Sequence, residues 1–426
     1  MAESEFASRS QQPGAPFPGL ASETWASAAP TVPRTPIPET ATAMETDVCI
    51  VGGGPAGLAC AIATALRGLR VQVVDALQPP IDKACGEGLM PDTLAALACL
   101  GIQLDDPTHT ALGHPLHGIR FLSADPATNS TSPPSIAQAS FPTSAGRGVS
   151  RLLLHQCLLD RATALGVRLH WQTQVTSIEQ GTAITLHTAR GPLHTRFLIG
   201  ADGHQSRVRT WAGLDRAALS ARRIGLRQHF AIAPWTSFVE VHWSAHGQAY
   251  VTPVSSHEIC VAFIARTKFP SVAAALACFP QLQERLLSAL PTDTPRGAIT
   301  LSRKLHRVTR GNIALVGDAS GSVDAVTGEG LSLCFRQALA LADTLAANDL
   351  TRYQRAHTAL SRRPHLMAAA LLLLDRSPRL RTLVLIRFAR QPQLFHRLLE
   401  LHIGETPLRL FGRSGLLATG LHLLAA

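Results

Sequence analysis

Of the 39 lysine and arginine residues in this 426-residue chain only three are lysines (Lys83, Lys268 and Lys304), and aromatic residues make up just 5%. Long apolar runs are missing too. The longest, Leu366 to Leu374, ends at Asp375, well short of the roughly 20 residues that cross a bilayer. The first residues are polar, with no basic segment leading into an apolar one, so no secretory signal is read. The eight cysteines show no CxxC and no Cys/His ligand spacing. That argues against a zinc site or a disulfide frame, and no metal is expected; reduced thiols in a cytoplasmic setting are favoured. A hydrophobic fraction of 46% and a charged fraction of 16% suit a large buried core.

What the chain has in excess is positive charge, unevenly placed. The net charge is +10, and residues 351–426 hold twelve arginines against Asp375, Glu400 and Glu405, a net +9. No nucleic-acid-binding motif accompanies this tail, and no nucleic acid is expected as a partner. Its leucines and arginines form amphipathic helical patterns. Two readings stand: a helix lying on an anionic membrane surface, or a helical cap packed over the nucleotide domain with a solvated basic face.

The segment at 46–76 carries the clearest motif. A β-branched run, Val48 to Val51, enters Gly52-x-Gly54-Pro55-Ala56-Gly57; an alanine-rich stretch follows, then Val71 to Val74 and Asp75. This is a strand–turn–helix–strand unit for a dinucleotide. Gly52 permits the turn, Gly54 lets pyrophosphate approach the backbone, and Gly57 lets helix and strand pack closely. The helix start offers N–H donors to phosphate, and Asp75 can accept ribose hydroxyls. A second strand-end motif, Gly200-Ala-Asp202-Gly203, reads equally well as an ordinary Asx-type turn. A third runs from a buried strand into Gly317-Asp318 and on to Gly328-Glu329-Gly330 at a helix start. There Asp318 could meet a polyol and the helix end an electron-rich ring. No second glycine-rich unit exists for a nicotinamide cofactor.

The order of these motifs resembles the flavoprotein group that includes para-hydroxybenzoate hydroxylase and the geranylgeranyl reductases. The resemblance covers residues 46 to about 350 and implies an α/β fold. That fold is a Rossmann-like FAD-binding domain interleaved with a mostly antiparallel β-sheet substrate domain, here with a helical C-terminal region added. It implies that Gly52, Gly54, Pro55, Ala56, Gly57 and Asp75 hold the ADP half of FAD. Asp318 would hold the ribitol, and the Gly328-Glu329-Gly330 helix start would face the flavin; Arg151, Asp202 and Gly317 are further cofactor-binding candidates, and NAD(P)H would visit as reductant. The loop Lys83-Ala-Cys85-Gly-Glu87-Gly-Leu-Met-Pro91 and the sheet segment 249–263 are similar to the reductase branch. Gly321 and Ala325 depart from the GDAAH and PxxGxG patterns of many hydroxylases. Cys85 and Glu87 are the catalytic candidates; the plain alternative for Cys85 is a small buried residue in a tight loop. His229, His242 and His257 are read as structural.

The expected organisation follows. Residues 1–43 form a disordered extension, with a functional start at Met44. Residues 44–120, 151–220 and 301–350 are three parts of the FAD-binding domain. Residues 121–150 are a loop-rich insert, 221–300 the substrate-binding sheet and 351–426 the basic helical region. The implied activity is an FAD-dependent oxidoreductase acting on a hydrophobic small molecule (isoprenoid, polyketide or phenolic lipid). An NAD(P)H- and O2-dependent monooxygenase stands first, reduction of C=C bonds second, and a non-catalytic flavin-binding redox partner third. The protein is expected to be cytoplasmic, with peripheral contact with an anionic membrane as an open possibility.

Overall fold

The structure is a computed structural model; it describes residues 46–104, 112–123, 136–220 and 222–405. The expected extension 1–43, the Met44 start and the last part of the basic tail lie outside the described residues. Ten helices occur among those described: α1 Pro55–Ala65, α2 Pro91–Cys99, α3 Arg151–Ala164, α4 Arg207–Trp211, α5 Val272–Leu276, α6 Pro280–Arg285, α7 Gly330–Ala346, α8 Thr351–Arg376, α9 Pro378–Arg390 and α10 Pro392–Ile403.

The first sheet places Thr46–Val51 at its centre, parallel to Val71–Val74 on one side and to Gly191–Gly200 on the other. Arg168–His170 extends it beyond Val71–Val74, and Ile313–Leu315 extends it beyond Gly191–Gly200. Strands covered on both faces read as continuous apolar runs rather than alternating ones. The run Val71–Val74 is buried throughout. Helices α1 and α7 pack on this sheet, and their alanine-rich faces allow the close approach.

The second sheet runs in the order Leu290–Pro291, Arg223–Ala231, Glu258–Ala265, Gly247–Pro253, Phe238–Trp243, Gly118–Ser123, Ile136–Ser140. It is antiparallel except where Phe238–Trp243 runs parallel to Gly118–Ser123. Two expectations need correction here. Residues 121–150 are not simply loop: Ile136–Ser140 alternates exposed and buried positions and pairs with Gly118–Ser123 as the edge strand. The many Ser, Pro and Thr residues nearby mask that short alternation. The basic tail is a cap, but not over the nucleotide domain alone. Val384, Leu385, Phe388, Phe395, Leu399 and Ile403 of α9 and α10 share one apolar cluster with Phe121, Val241 and Trp243 of the second sheet. Only α8 continues the packing of α7.

Candidate active site

One cavity of about 680 Å³ runs from the first sheet to the second. At its first end the polypeptide leaves Val51 and turns at Gly52, whose φ is +112°. A Cβ at Gly52 would stand 2.4 Å from the Ala201 carbonyl oxygen. A Cβ at Gly57 would stand 1.8 Å from the Gly52 carbonyl oxygen, so α1 touches the turn there. A Cβ at Gly54 would meet nothing within 4 Å, because that position opens into the cavity. Gly54 is the N-cap of α1 and Pro55 follows inside the helix; no side chain caps the end. The first-turn donors are therefore left for a ligand. Asp75 closes the strand after α1 and accepts from Gly53 N at 2.6 Å and Leu77 N at 2.7 Å.

The other expected cofactor residues divide by position. Arg151, at the start of α3, lines the cavity; it is 9% exposed and its Nε has no hydrogen-bond partner. Asp318 lines the cavity beside Lys83, whose Nζ donates to it at 2.8 Å. Burial pushes the Asp318 carboxyl up, but Lys83 outweighs this and holds it below its usual range. Gly317, Gly328 and Gly330 also line the wall, Gly317 and Gly328 with positive φ. Asp202 lines it too, but its carboxylate is engaged by Ser206 Oγ at 2.5 Å, Arg207 N at 2.7 Å and Val208 N at 3.1 Å. It organises the turn into α4. Glu329 stands apart: the left-handed Gly328 reverses the backbone before it. Glu329 is fully buried away from the cavity wall, and Arg363 Nη2 donates to it at 3.2 Å.

The Lys83–Pro91 loop crosses between the two sheets. Cys85 faces the cavity, and its Sγ accepts from Glu87 N at 3.4 Å. Burial pushes its thiol up, so it is held neutral. Glu87 is not a free acid or base. It sits at φ +61° and is 2% exposed. Its Oε1 accepts from Arg151 N at 3.0 Å, and its Oε2 lies 2.6 Å from His229 Nε2. His229 Nδ1 is 2.9 Å from Asp293 Oδ2. Cys260 lies close to Glu87 and His229, but an N–O separation of 2.6 Å is that of a charge-assisted hydrogen bond. Two ligands of a shared ion stand roughly 3 Å or more apart.

Glu87 therefore ties the loop, the start of α3 and the second sheet together, and His229 is part of that tie. Burial disfavours the His229 cation, but Glu87 and Asp293 win and raise its pKa to about 9. The sign follows. The folded pKa lies above the unfolded value near 6.5, so the stabilisation is complete below about pH 6.5 and is lost as pH rises through about 9. We expect His229→Gln to lower the wild-type stability at pH 6.5 by on the order of 2–3 kcal/mol. The gap should close by pH 10 in thermal melts; a constant gap would mean that the imidazole is neutral throughout.

The far end of the cavity is apolar. Ile119, Phe121, Val239 and Val241 line it from the second sheet, and Met367, Leu371, Phe395 and Leu399 from α8 and α10. Tyr250 projects there with its hydroxyl donating to the Val326 carbonyl at 2.9 Å. The tail's part in this wall was missed from sequence. The helical spacing of Phe395, Leu398, Leu399 and His402 was the available signal.

Flavin adenine dinucleotide fits these residues. The open Gly54 position, the uncapped helix start and the buried, unpartnered Nε of Arg151 all suit a long phosphate-bearing ligand. The fold and site define an FAD-dependent oxidoreductase. Residues 45–371 match the family described as FAD binding domain, and the chain belongs to it. Among curated proteins it is similar to a menaquinone reductase of Mycolicibacterium smegmatis, 28% identical over 335 residues, 73% of this chain and 78% of that protein. It is also similar to a 12-dehydrotetracycline 5-monooxygenase/anhydrotetracycline 6-monooxygenase of Streptomyces rimosus, 26% identical over 343 residues, 71% of this chain and 63% of that protein. Its fold is shared with p-nitrophenol 4-monooxygenase of Pseudomonas putida, at a TM-score of 0.72 and 18% identity over 84% of this chain and 98% of that one.

Proposed function

We propose that the chain hydroxylates a hydrophobic small molecule at the expense of NAD(P)H and O2. One oxygen atom enters a C–H bond of the substrate; the other leaves as water with two electrons and a proton from NAD(P)H and one proton from solvent. Gly52, Gly54, Asp75 and the start of α1 would hold the ADP half of FAD, with Arg151 near the phosphates. Asp318 with Lys83 and the Gly328–Gly330 turn would hold the flavin half. When bound, the flavin supplies hydride acceptance and oxygen activation. The protein's task is to orient the substrate and exclude water.

The observation that carries this reading is the apolar far arm of the cavity, continuous with the cradle at Gly54. Hydroxylation needs a dry wall there and no proton donor at carbon. The Tyr250 hydroxyl already donates its hydrogen bond to the Val326 carbonyl. Cys85 supports a second reading, reduction of a C=C bond, because a neutral thiol faces the cavity and could deliver a proton. The similarity to a menaquinone reductase favours the same alternative.

Oxygen uptake by the purified yellow protein separates the two. With NAD(P)H and an alkyl- or prenyl-substituted phenol, we expect substrate-stimulated O2 consumption and a product heavier by one oxygen. Anaerobic turnover of a prenyl chain, abolished in Cys85→Ser, would replace hydroxylation with reduction.

A further inference from the structure

Helix α8 separates two apolar environments. Its inner face gives Met367 and Leu371 to the far arm of the cavity. On its opposite face, Arg362, Leu366, Ala369, Ala370, Leu373 and Arg376 fall within about 120° of one another at the helical repeat. All six are exposed, Leu366 by 40% and Leu373 by 55%. Leucines at these positions would usually be buried or replaced by polar residues on a solvated helix.

The charge on this face has one sign. Arg362 and Arg376 bracket the leucines, and neither has an ion-pair partner among the described residues. The one acid of α8, Asp375, points inward, its side chain 6% exposed and bound to Arg266 and Gln248. Arginine–aliphatic–arginine order recurs on α9 at Arg379, Leu383, Ile386 and Arg390. Among the described residues no helix is long and apolar enough to cross a membrane.

We propose that the outward face of α8 docks on an anionic lipid surface, with Leu366 and Leu373 entering the acyl boundary and Arg362 and Arg376 at the phosphates. Charge complementarity selects this occupant. The apolar arm then lies one helix away from the bilayer, so a lipophilic substrate has a short route inward. That last link rests on the proposed function; the docking does not.

Vesicle flotation of the full-length holoprotein tests it without turnover. The vesicles are phosphatidylcholine alone or an equal mixture with phosphatidylglycerol. The wild type is expected to float with the mixed vesicles at low salt. Leu366→Ser/Leu373→Ser and Arg362→Glu/Arg376→Glu should each weaken partitioning about tenfold or more, with flavin content and melting temperature retained. Failure of the wild type to float, or equal flotation of the variants, overturns the proposal. So does a wild-type dimer that the leucine variant dissolves, which would assign the face to a second copy. Flotation lost only on deletion of residues 406–426 would likewise move the contact away from α8. Flotation together with failure of all oxidase and reductase assays would leave docking standing and remove the proposed reaction.

Discussion

Gly54→Leu is expected to give a folded, colourless protein, and Gly57→Val to give almost no folded protein. The two glycines sit three residues apart in one motif, yet their surroundings are opposite. At Gly54 φ is −73° and a Cβ meets nothing within 4 Å, so a side chain can start there without backbone strain or a clash at Cβ. It fills the cavity instead, above the α1 donors. Flavin retention should fall about a hundredfold or more, since the phosphates lose both the space and the N–H groups. At Gly57 a Cβ would lie 1.8 Å from the Gly52 carbonyl oxygen, and that backbone is itself fixed against Ala201. Neither can retreat, and the cost should exceed about 3 kcal/mol. Absorbance at the flavin band after gel filtration, read with circular dichroism, checks both. A yellow Gly54→Leu protein would show that the dinucleotide does not cross this turn.

The same contrast shows what was legible in the sequence. Motifs whose function is a backbone shape can be read from residue type, because few residues satisfy a positive φ or a near-zero clearance. Gly52, Gly317 and Gly328 all have positive φ. Side-chain roles were less legible, because they depend on what lies across space. Glu87 and Glu329 look alike as acids in glycine-rich turns, but both are buried, Glu87 against His229 and Glu329 with its Oε1 accepting from Arg363. Their partners lie 142 and 34 residues away, beyond any local pattern. His229 was read as structural; in the structure it ties the Cys85 loop to the sheet. The strand Ile136–Ser140 was hidden for a different reason. A five-residue edge strand with Gln and Ser on its open face differs little from loop composition.

Phe395→Ala should cost about 3–5 kcal/mol, as for a large core aromatic, although it lies in the basic tail. Its ring is 2% exposed and stacks on Phe121 at 4.7 Å and on Phe388 at 4.9 Å between centroids. It thus joins α9 and α10 to the second sheet, and it lines the far arm of the cavity as well. Removing it leaves a void that two helix backbones and a sheet cannot readily close. Leu373→Ser, on the outward face of α8, should change stability by no more than about 0.5 kcal/mol. The urea midpoint therefore separates the two faces of the tail, one packed on the second sheet and the other open to solvent. Flavin content of Phe395→Ala should hold, because the cradle at Gly52–Gly57 is built on the first sheet. The apparent affinity for an apolar substrate should fall, because the arm loses a wall. An unchanged urea midpoint in Phe395→Ala would mean that the tail is only a tether, and the apolar arm would then lose its claim to be the substrate site.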